Sequence, residues 1–201
     1  MMRPHHYVDF MVAAAAGGRP ATSPPIPIVA AMALRALHEA FAERPATHAL
    51  ALPARRRGHD APQLRVLRVF VTELEELGRL VQAVEAKPAI RDYVFPGFPR
   101  SVPSTFDGPW VEYRRFRVPT RAADRHAGAP LRARRMQSAQ ERGLPYFAMS
   151  SRSTGQSFSL LVERIEAARP PQDREMKPDG YGLSRSSDPV VLPDIGLPAD
   201  G

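Results

Sequence analysis

Two hydrophobic periods alternate through the first half of this chain, one of two residues and one of three to four, and they predict an α+β fold. The expected order there is strand, helix, strand, strand, helix, strand (βαββαβ), and the second half reads as short strands around one arginine-rich helix. Composition agrees: 43% hydrophobic residues can build a core, and 22 prolines impose turns rather than long helices.

His6 to Val12 predicts the first strand, with Val8, Phe10 and Val12 on one face and Tyr7, Asp9 and Met11 on the other. Ala13 to Pro25 is a loop of small residues and prolines. A helix follows from Pro27 to Arg44, because a proline at a first helical position gives up an N–H that would be unbonded anyway, and Pro45 ends the run. Ile26, Ala30, Ala33, Leu37 and Phe41 form its buried stripe. His48 to Leu52 and Leu64 to Val71 predict two strands around the turn Arg55-Arg56-Arg57-Gly58.

Thr72 and Glu75 have the spacing of a capping box, and Leu74, Leu77, Leu80, Val81 and Val84 line one side of the helix they would open. Lys87-Pro88 closes it, and Ile90 to Phe95 predicts another strand. This order is that of ferredoxin-like folds, in which two helices cover one face of a four-stranded antiparallel sheet. Such folds serve RNA binders, metal carriers and enzymes alike, so the architecture does not choose a function.

In the second half, Gly97 to Pro109 reads as loop and Trp110 to Val118 as an arginine-dense strand. Arg121 to Gly128 is polar, and a short helix is expected from Leu131 to Glu141. Leu144 to Ser150, Phe158 to Ile165 and a weaker piece near Tyr181 predict strands. Ala168 to Gly180 reads as loop, and the proline-punctuated residues from Asp188 read as a flexible tail.

Net charge is +7, carried almost wholly by arginine, with lysine only at positions 87 and 177. The planar guanidinium fork suits phosphate oxygens and guanine edges. Arginine richness beside abundant alanine and proline also fits a GC-rich genome, so charge favours a nucleic-acid partner without choosing one. The absence of cysteine excludes disulfides, thiolate metal sites and cysteine nucleophiles. No apolar run reaches the roughly 18 residues that span a bilayer. The run from Phe10 to Ala16 is preceded by Asp9 and followed by Gly17-Gly18-Arg19-Pro20, so a cytoplasmic protein away from membranes is expected.

Three groups of residues could carry chemistry. Arg114, Arg115 and Arg117 share one strand, and Arg132, Arg134 and Arg135 share one helix. A single such run is ordinarily a solvated surface, but two in one half of the chain point to an RNA phosphate site. In Ser150 to Phe158, hydroxyls beside Gly155 make a polar turn whose donors suit a phosphate or a ribose. Phe158, opening an apolar strand, suits either the core or stacking on a base. His38 sits at the edge of its helix's apolar stripe, where an imidazole is either a packed helix residue or a proton carrier at neutral pH. The remaining histidines (His5, His6, His48, His59 and His126) lack metal-ligand spacing, so neither a metal nor a cofactor is expected.

Leu144-Pro145-Tyr146-Phe147, then Ser151-Arg152-Ser153-Thr154-Gly155-Gln156-Ser157-Phe158, then Tyr181-Gly182-Leu183-Ser184 form one pattern. His6-Tyr7-Val8-Asp9 and Leu37-His38 fit the same pattern at the front. Together these pieces resemble the CRISPR-associated endoribonuclease of type I-F systems, which cuts precursor CRISPR RNA at each repeat hairpin. Both ends of the chain carry the likeness, and the centre matches in outline.

The resemblance implies a ferredoxin-like domain over residues 1–97, an RNA-hairpin-binding region over 98–187 and a tail over 188–201. By position, His38 matches the family's catalytic histidine, Ser151 the serine holding the attacking ribose, and Tyr181 the tyrosine beside the histidine. Ser153 and Thr154 would lie near the scissile phosphate, with Gln156 in the same RNA-contacting stretch. Phe158 would stack on the hairpin's closing base pair, Arg117 would read guanine, and Arg132, Arg134 and Arg135 would lie against the hairpin groove. Arg114 and Arg115 join this RNA-binding set. Two departures stand out: Pro119 occupies the place where the family pattern has a glutamine, and the segment bearing the arginine helix is shorter than usual.

The implied reaction uses the substrate's own 2′-hydroxyl and no metal, leaving a 2′,3′-cyclic phosphate and a 5′-hydroxyl. The protein, monomeric when free, would then stay on its product hairpin within a type I-F effector complex. The alternative is an RNA-hairpin-binding subunit that does not cleave. An ordinary RNA-recognition domain ranks last, because its aromatic strand signature is missing.

Overall fold

The computed structural model describes residues 2–13, 24–53, 64–119, 131–150, 155–171 and 174–197. Among these, three helices and two antiparallel sheets make a mixed α/β protein. In chain order the elements are β1 (His6–Val12), α1 (Ile26–Glu43), β2 (His48–Ala51), β3 (Val66–Val71), α2 (Leu74–Glu85), β4 (Val94–Pro96), β5 (Arg100–Ser101) and β6 (Trp110–Phe116). They continue with α3 (Leu131–Glu141), β7 (Tyr146–Ser150), β8 (Ser157–Ala167) and β9 (Val191–Pro193). Among the described residues, no helix is long and apolar enough to cross a membrane.

The first sheet runs β2-β3-β1-β4, and β5 extends the β4 edge along β1. Register explains its burial. Tyr7 opposes Phe70 and Asp9 opposes Arg68 on one face, while Val8 opposes Val69 and Phe10 opposes Leu67 on the other. Val8, Phe10 and Val12 are buried, as the two-residue period requires. The second sheet runs β7-β8-β6-β9. The two sheets share α1, which packs against α2 and β1 on one side and against β7 on the other. That double burial is why Val29, Ala30, Ala33, Leu34, Leu37 and Phe41 are all removed from water. Tyr113 of β6 closes the junction by donating its hydroxyl to the Leu52 carbonyl at 3.0 Å.

Several local expectations yield to tertiary partners. The capping box does not form: Glu73 is the N-cap of α2 without a side-chain bond. Thr72 instead accepts from the Arg3 N–H at 2.7 Å and donates to the Arg3 carbonyl, fastening the start of the chain. Leu74, expected on the buried stripe, is 47% exposed. Ile90 to Tyr93 is turn rather than strand, because the Ile90 and Tyr93 N–H groups bond back to Lys87 and Ile90, so β4 begins only at Val94. The loop after it contains β5, and the piece near Tyr181 makes only a single bridge, between Ser184 and Arg114.

The end of the chain differs most from its reading as a flexible tail. Val190, Val191 and Leu192 are buried, β9 pairs with β6, and the Ile195 carbonyl accepts from the buried Arg68. Burying those side chains and completing Arg68's bonds is what holds the segment down. The turn Arg55 to Gly58, His59, Arg121 to Gly128 and residues 198–201 lie outside the described residues.

Candidate functional site

His38 and Arg35 stand three residues apart on α1, so the helix presents both on one side, where β7 approaches. Each meets a partner from the far end of the chain. The His38 Nδ1 bonds to the Gly180 carbonyl, and its ring stacks on Tyr181 with centroids 4.6 Å apart and planes 22° apart. A carbonyl oxygen only accepts, so Nδ1 carries the proton and Nε2 keeps the lone pair of the neutral ring. The imidazole is therefore held in orientation and in tautomer, with one basic nitrogen left for chemistry.

The loop that delivers these contacts is built by Asp179. One carboxylate oxygen, Oδ1, accepts from the Tyr181 and Leu183 N–H groups at 2.8 and 2.9 Å, and the Asp179 carbonyl accepts from Gly182 at 2.9 Å. Gly182 has φ +77°, and its carbonyl takes the Leu50 N–H of β2 at 2.7 Å. A Cβ there would stand 2.8 Å from the Leu50 nitrogen, so only glycine lets the loop seat against the first sheet. At Gly180 a Cβ would come within 3.2 Å of His38 Cε1. Two glycines and one aspartate thus set the place of the histidine and the tyrosine.

Arg35 Nη2 donates to the Ser150 hydroxyl at 2.5 Å, joining α1 to the last residue of β7. Ser151, Ser153 and Thr154, expected at the reacting phosphate, lie outside the described residues. Their flanks are described. Ser150 before them is bonded to α1, and Gly155 after them has φ +65°, the left-handed backbone a tight turn needs.

Beside this centre, α3 and the β7–β8 face enclose a cleft of about 1430 Å³. Arg115, Arg117, Arg132, Tyr146, Gln156 and Phe158 are among the residues that line it. Alternation along β6 separates the strand's arginines. Arg115 lies 5.8 Å from the Phe158 ring centroid, whereas Arg114 is paired with Glu112 at 3.0 Å. Arg132 and Arg135 bond to the carbonyls of Pro119 and Arg117 at 2.5 and 3.2 Å, and Arg135 stacks 4.1 Å over Phe116. Arg134 points to solvent. Phe158 is partly buried against the core and still faces the cleft.

The structure thus joins His38 with Tyr181, and Arg115, Arg117 and Arg132 with Gln156 and Phe158. Sequence reasoning missed Arg35, Asp179 and Gly180. Arg35 left one signal, a cation three residues before His38 and hence on its side of the helix. Asp179-Gly180-Tyr181-Gly182 left another, the composition of a tight turn. Among the described residues, no group of three or more His, Asp or Glu side chains is placed to hold a metal ion.

Comparison with known proteins agrees with the pattern of residues. No curated protein matches the chain. The family model described as CRISPR-associated protein (Cas_Csy4) matches residues 27–193, which include all of α1 but its first residue, the cleft and the Asp179 loop. By that match the chain belongs to the CRISPR-associated Csy4 family, the endoribonuclease family of type I-F systems.

Proposed function

We propose that this protein cuts precursor CRISPR RNA at the repeat hairpin by intramolecular attack of a ribose 2′-hydroxyl, without a metal. The observation that carries the reading is the His38 ring, clamped through Nδ1 to Gly180 and stacked on Tyr181 so that Nε2 is the available base. Nε2 takes the 2′-hydroxyl proton while the O2′–P bond forms and the P–O5′ bond breaks. The products are a 2′,3′-cyclic phosphate and a 5′-oxygen that takes up a proton. Ser151, next in the chain to the tethered Ser150, holds the ribose in line, and Ser153 and Thr154 face the phosphate. Tyr181 keeps the imidazole from rotating.

The cleft receives the hairpin. Arg115, Arg117 and Arg132 meet its phosphates or guanine edge, Gln156 adds a polar contact, and Phe158 stacks on the closing base pair. The product hairpin stays bound and carries the protein, monomeric when free and cytoplasmic, into a type I-F effector complex. The order β2-β3-β1-β4, with a helix after β1 and after β3, supports a ferredoxin-like description of the first half.

His38→Ala tests the reading. It is expected to slow single-turnover cleavage by roughly 10² to 10⁴-fold while hairpin affinity stays nearly unchanged. A 2′-deoxy residue upstream of the cut blocks the wild-type reaction, and chelator does not. Activity that disappears in chelator, or survives in His38→Ala, rejects the mechanism.

A further inference from the structure

Several arginines of this protein, buried and exposed alike, are matched by a carboxylate. Arg68 pairs with Asp9, Arg44 and Arg79 with Glu76, Arg114 with Glu112, and Arg164 with Asp194. Arg35 is half-buried on α1 and forms no ion pair among the described residues; its partner there is the neutral hydroxyl of Ser150. A guanidinium has five N–H donors in a planar fork, and the Ser150 bond occupies Nη2 from one side. Among the described residues no carboxylate pairs with its charge, which lies one helical turn from His38, where Cβ atoms lie about 5–6 Å apart.

We infer that Arg35 is a further catalytic residue, whose guanidinium grips a non-bridging oxygen of the scissile phosphate; the inference rests on the cleavage reading above. As O2′ adds to phosphorus, negative charge grows on the non-bridging oxygens before the P–O5′ bond breaks. A fixed cation with paired N–H donors stabilises that charge more than the ground state. The proton accounting is unchanged: His38 takes the 2′-hydroxyl proton, the leaving oxygen takes one from water, and Arg35 exchanges none. The same side chain holds Ser150, the residue before the hydroxyl turn, so phosphate and turn share one anchor on α1.

The test uses the full chain and a repeat-hairpin RNA with a single phosphorothioate at the cut, resolved into its two diastereomers. Arg35→Ala is expected to slow single-turnover cleavage by roughly 10² to 10³-fold, as loss of an oxyanion donor does, with Arg35→Lys in between. Binding of the 2′-deoxy hairpin changes little in either variant. The decisive readout is the sulfur effect. One diastereomer slows the wild type, and that penalty disappears in Arg35→Ala but persists in Ser150→Ala, which loses the tether and keeps the charge. A penalty of equal size in wild type and Arg35→Ala overturns the inference, as does an unimpaired Arg35→Ala. In either case wild-type cleavage that still depends on His38 leaves the cleavage reading standing. A wild type that cuts no hairpin rejects both.

Discussion

The His38 Nδ1 and the Gly180 carbonyl, 142 residues apart, are joined by a hydrogen bond that decides which ring nitrogen is basic. The contact works because residue 180 has no side chain. A Cβ there would sit 3.2 Å from His38 Cε1 and 3.7 Å from Nδ1, with Tyr181 stacked against the same ring.

Gly180→Ala is therefore expected to tilt the imidazole by a few tenths of an ångström rather than to unfold the chain. Misplacement of about 1 Å in a proton-transfer geometry can cost ~10²-fold, so this smaller shift should lower single-turnover cleavage by about tenfold. Hairpin affinity and melting temperature should stay at wild-type values. A variant that cleaves at full rate would show that the ring has slack.

Gly182→Ala should behave differently. The backbone there is left-handed, at φ +77°, and the added carbon would lie 2.8 Å from the Leu50 nitrogen of β2. Left-handed backbone alone costs an ordinary residue roughly 1–2 kcal/mol, and the clash with main chain adds to it. Denaturant unfolding should register a loss of about 2–3 kcal/mol. Cleavage should fall as well, because the loop carrying Tyr181 can no longer seat.

What could be read in advance followed locality. α1 and α3 were legible because their apolar or arginine spacing and their prolines are local signals, and their observed bounds lie within a residue of those expected. β9 was illegible because Val191-Leu192-Pro193 is three residues among prolines, and its reason to be a strand is β6, about eighty residues earlier. The capping box failed for a similar reason, since Thr72 found Arg3. In the site, His38 and Tyr181 could be named from a motif. The bond from Arg35 to Ser150 spans 115 positions and left no periodic trace.

Arg68 offers a stability test away from the chemistry. It is 1% exposed, donates to both Asp9 oxygens at 2.6 and 2.8 Å, covers the Tyr7 ring and bonds the Ile195 carbonyl. Arg68→Ala strands Asp9 and frees the last strand, so a loss of about 3–5 kcal/mol is expected. Arg68→Met combined with Asp9→Leu should recover most of it, because removing both charges also removes the desolvation each had cost. If the double variant is as unstable as Arg68→Ala, the pair is stabilising in its own right.

The arginines should divide by partner when binding is measured against salt. Arg117 and Arg134 are exposed, so Arg117→Ala and Arg134→Ala should each lower the slope of log affinity against log salt by about one, with little change in stability. Arg114 is held by Glu112, and its Nε is buried without a hydrogen-bond partner. Arg114→Ala should leave the slope alone and alter the melting temperature instead. Wild-type slopes for Arg117→Ala and Arg134→Ala would mean that these two positions do not face the RNA.

His48 gives the pH dependence. It is buried at the start of β2, stacked on Phe41 with centroids 4.7 Å apart, its Nδ1 beside the Thr47 hydroxyl at 2.9 Å. Its Nε2 has no hydrogen-bond partner and lies 3.7 Å from Glu76. Burial, and secondarily the Arg44 charge, outweigh the attraction of Glu76 and hold the imidazole at about 4 rather than its ordinary 6.5. In the unfolded chain the ring protonates as pH drops through 6.5, while in the folded protein it stays neutral until about 4. Unfolding therefore takes up a proton between those values, and stability declines as the medium is acidified across that window. The full drop is at most ~3 kcal/mol for this one group. His48→Gln removes the titration, so its stability should fall less steeply from pH 6.5 to pH 4 in denaturant melts. Identical slopes for the variant and the wild type would place the acid sensitivity in other groups.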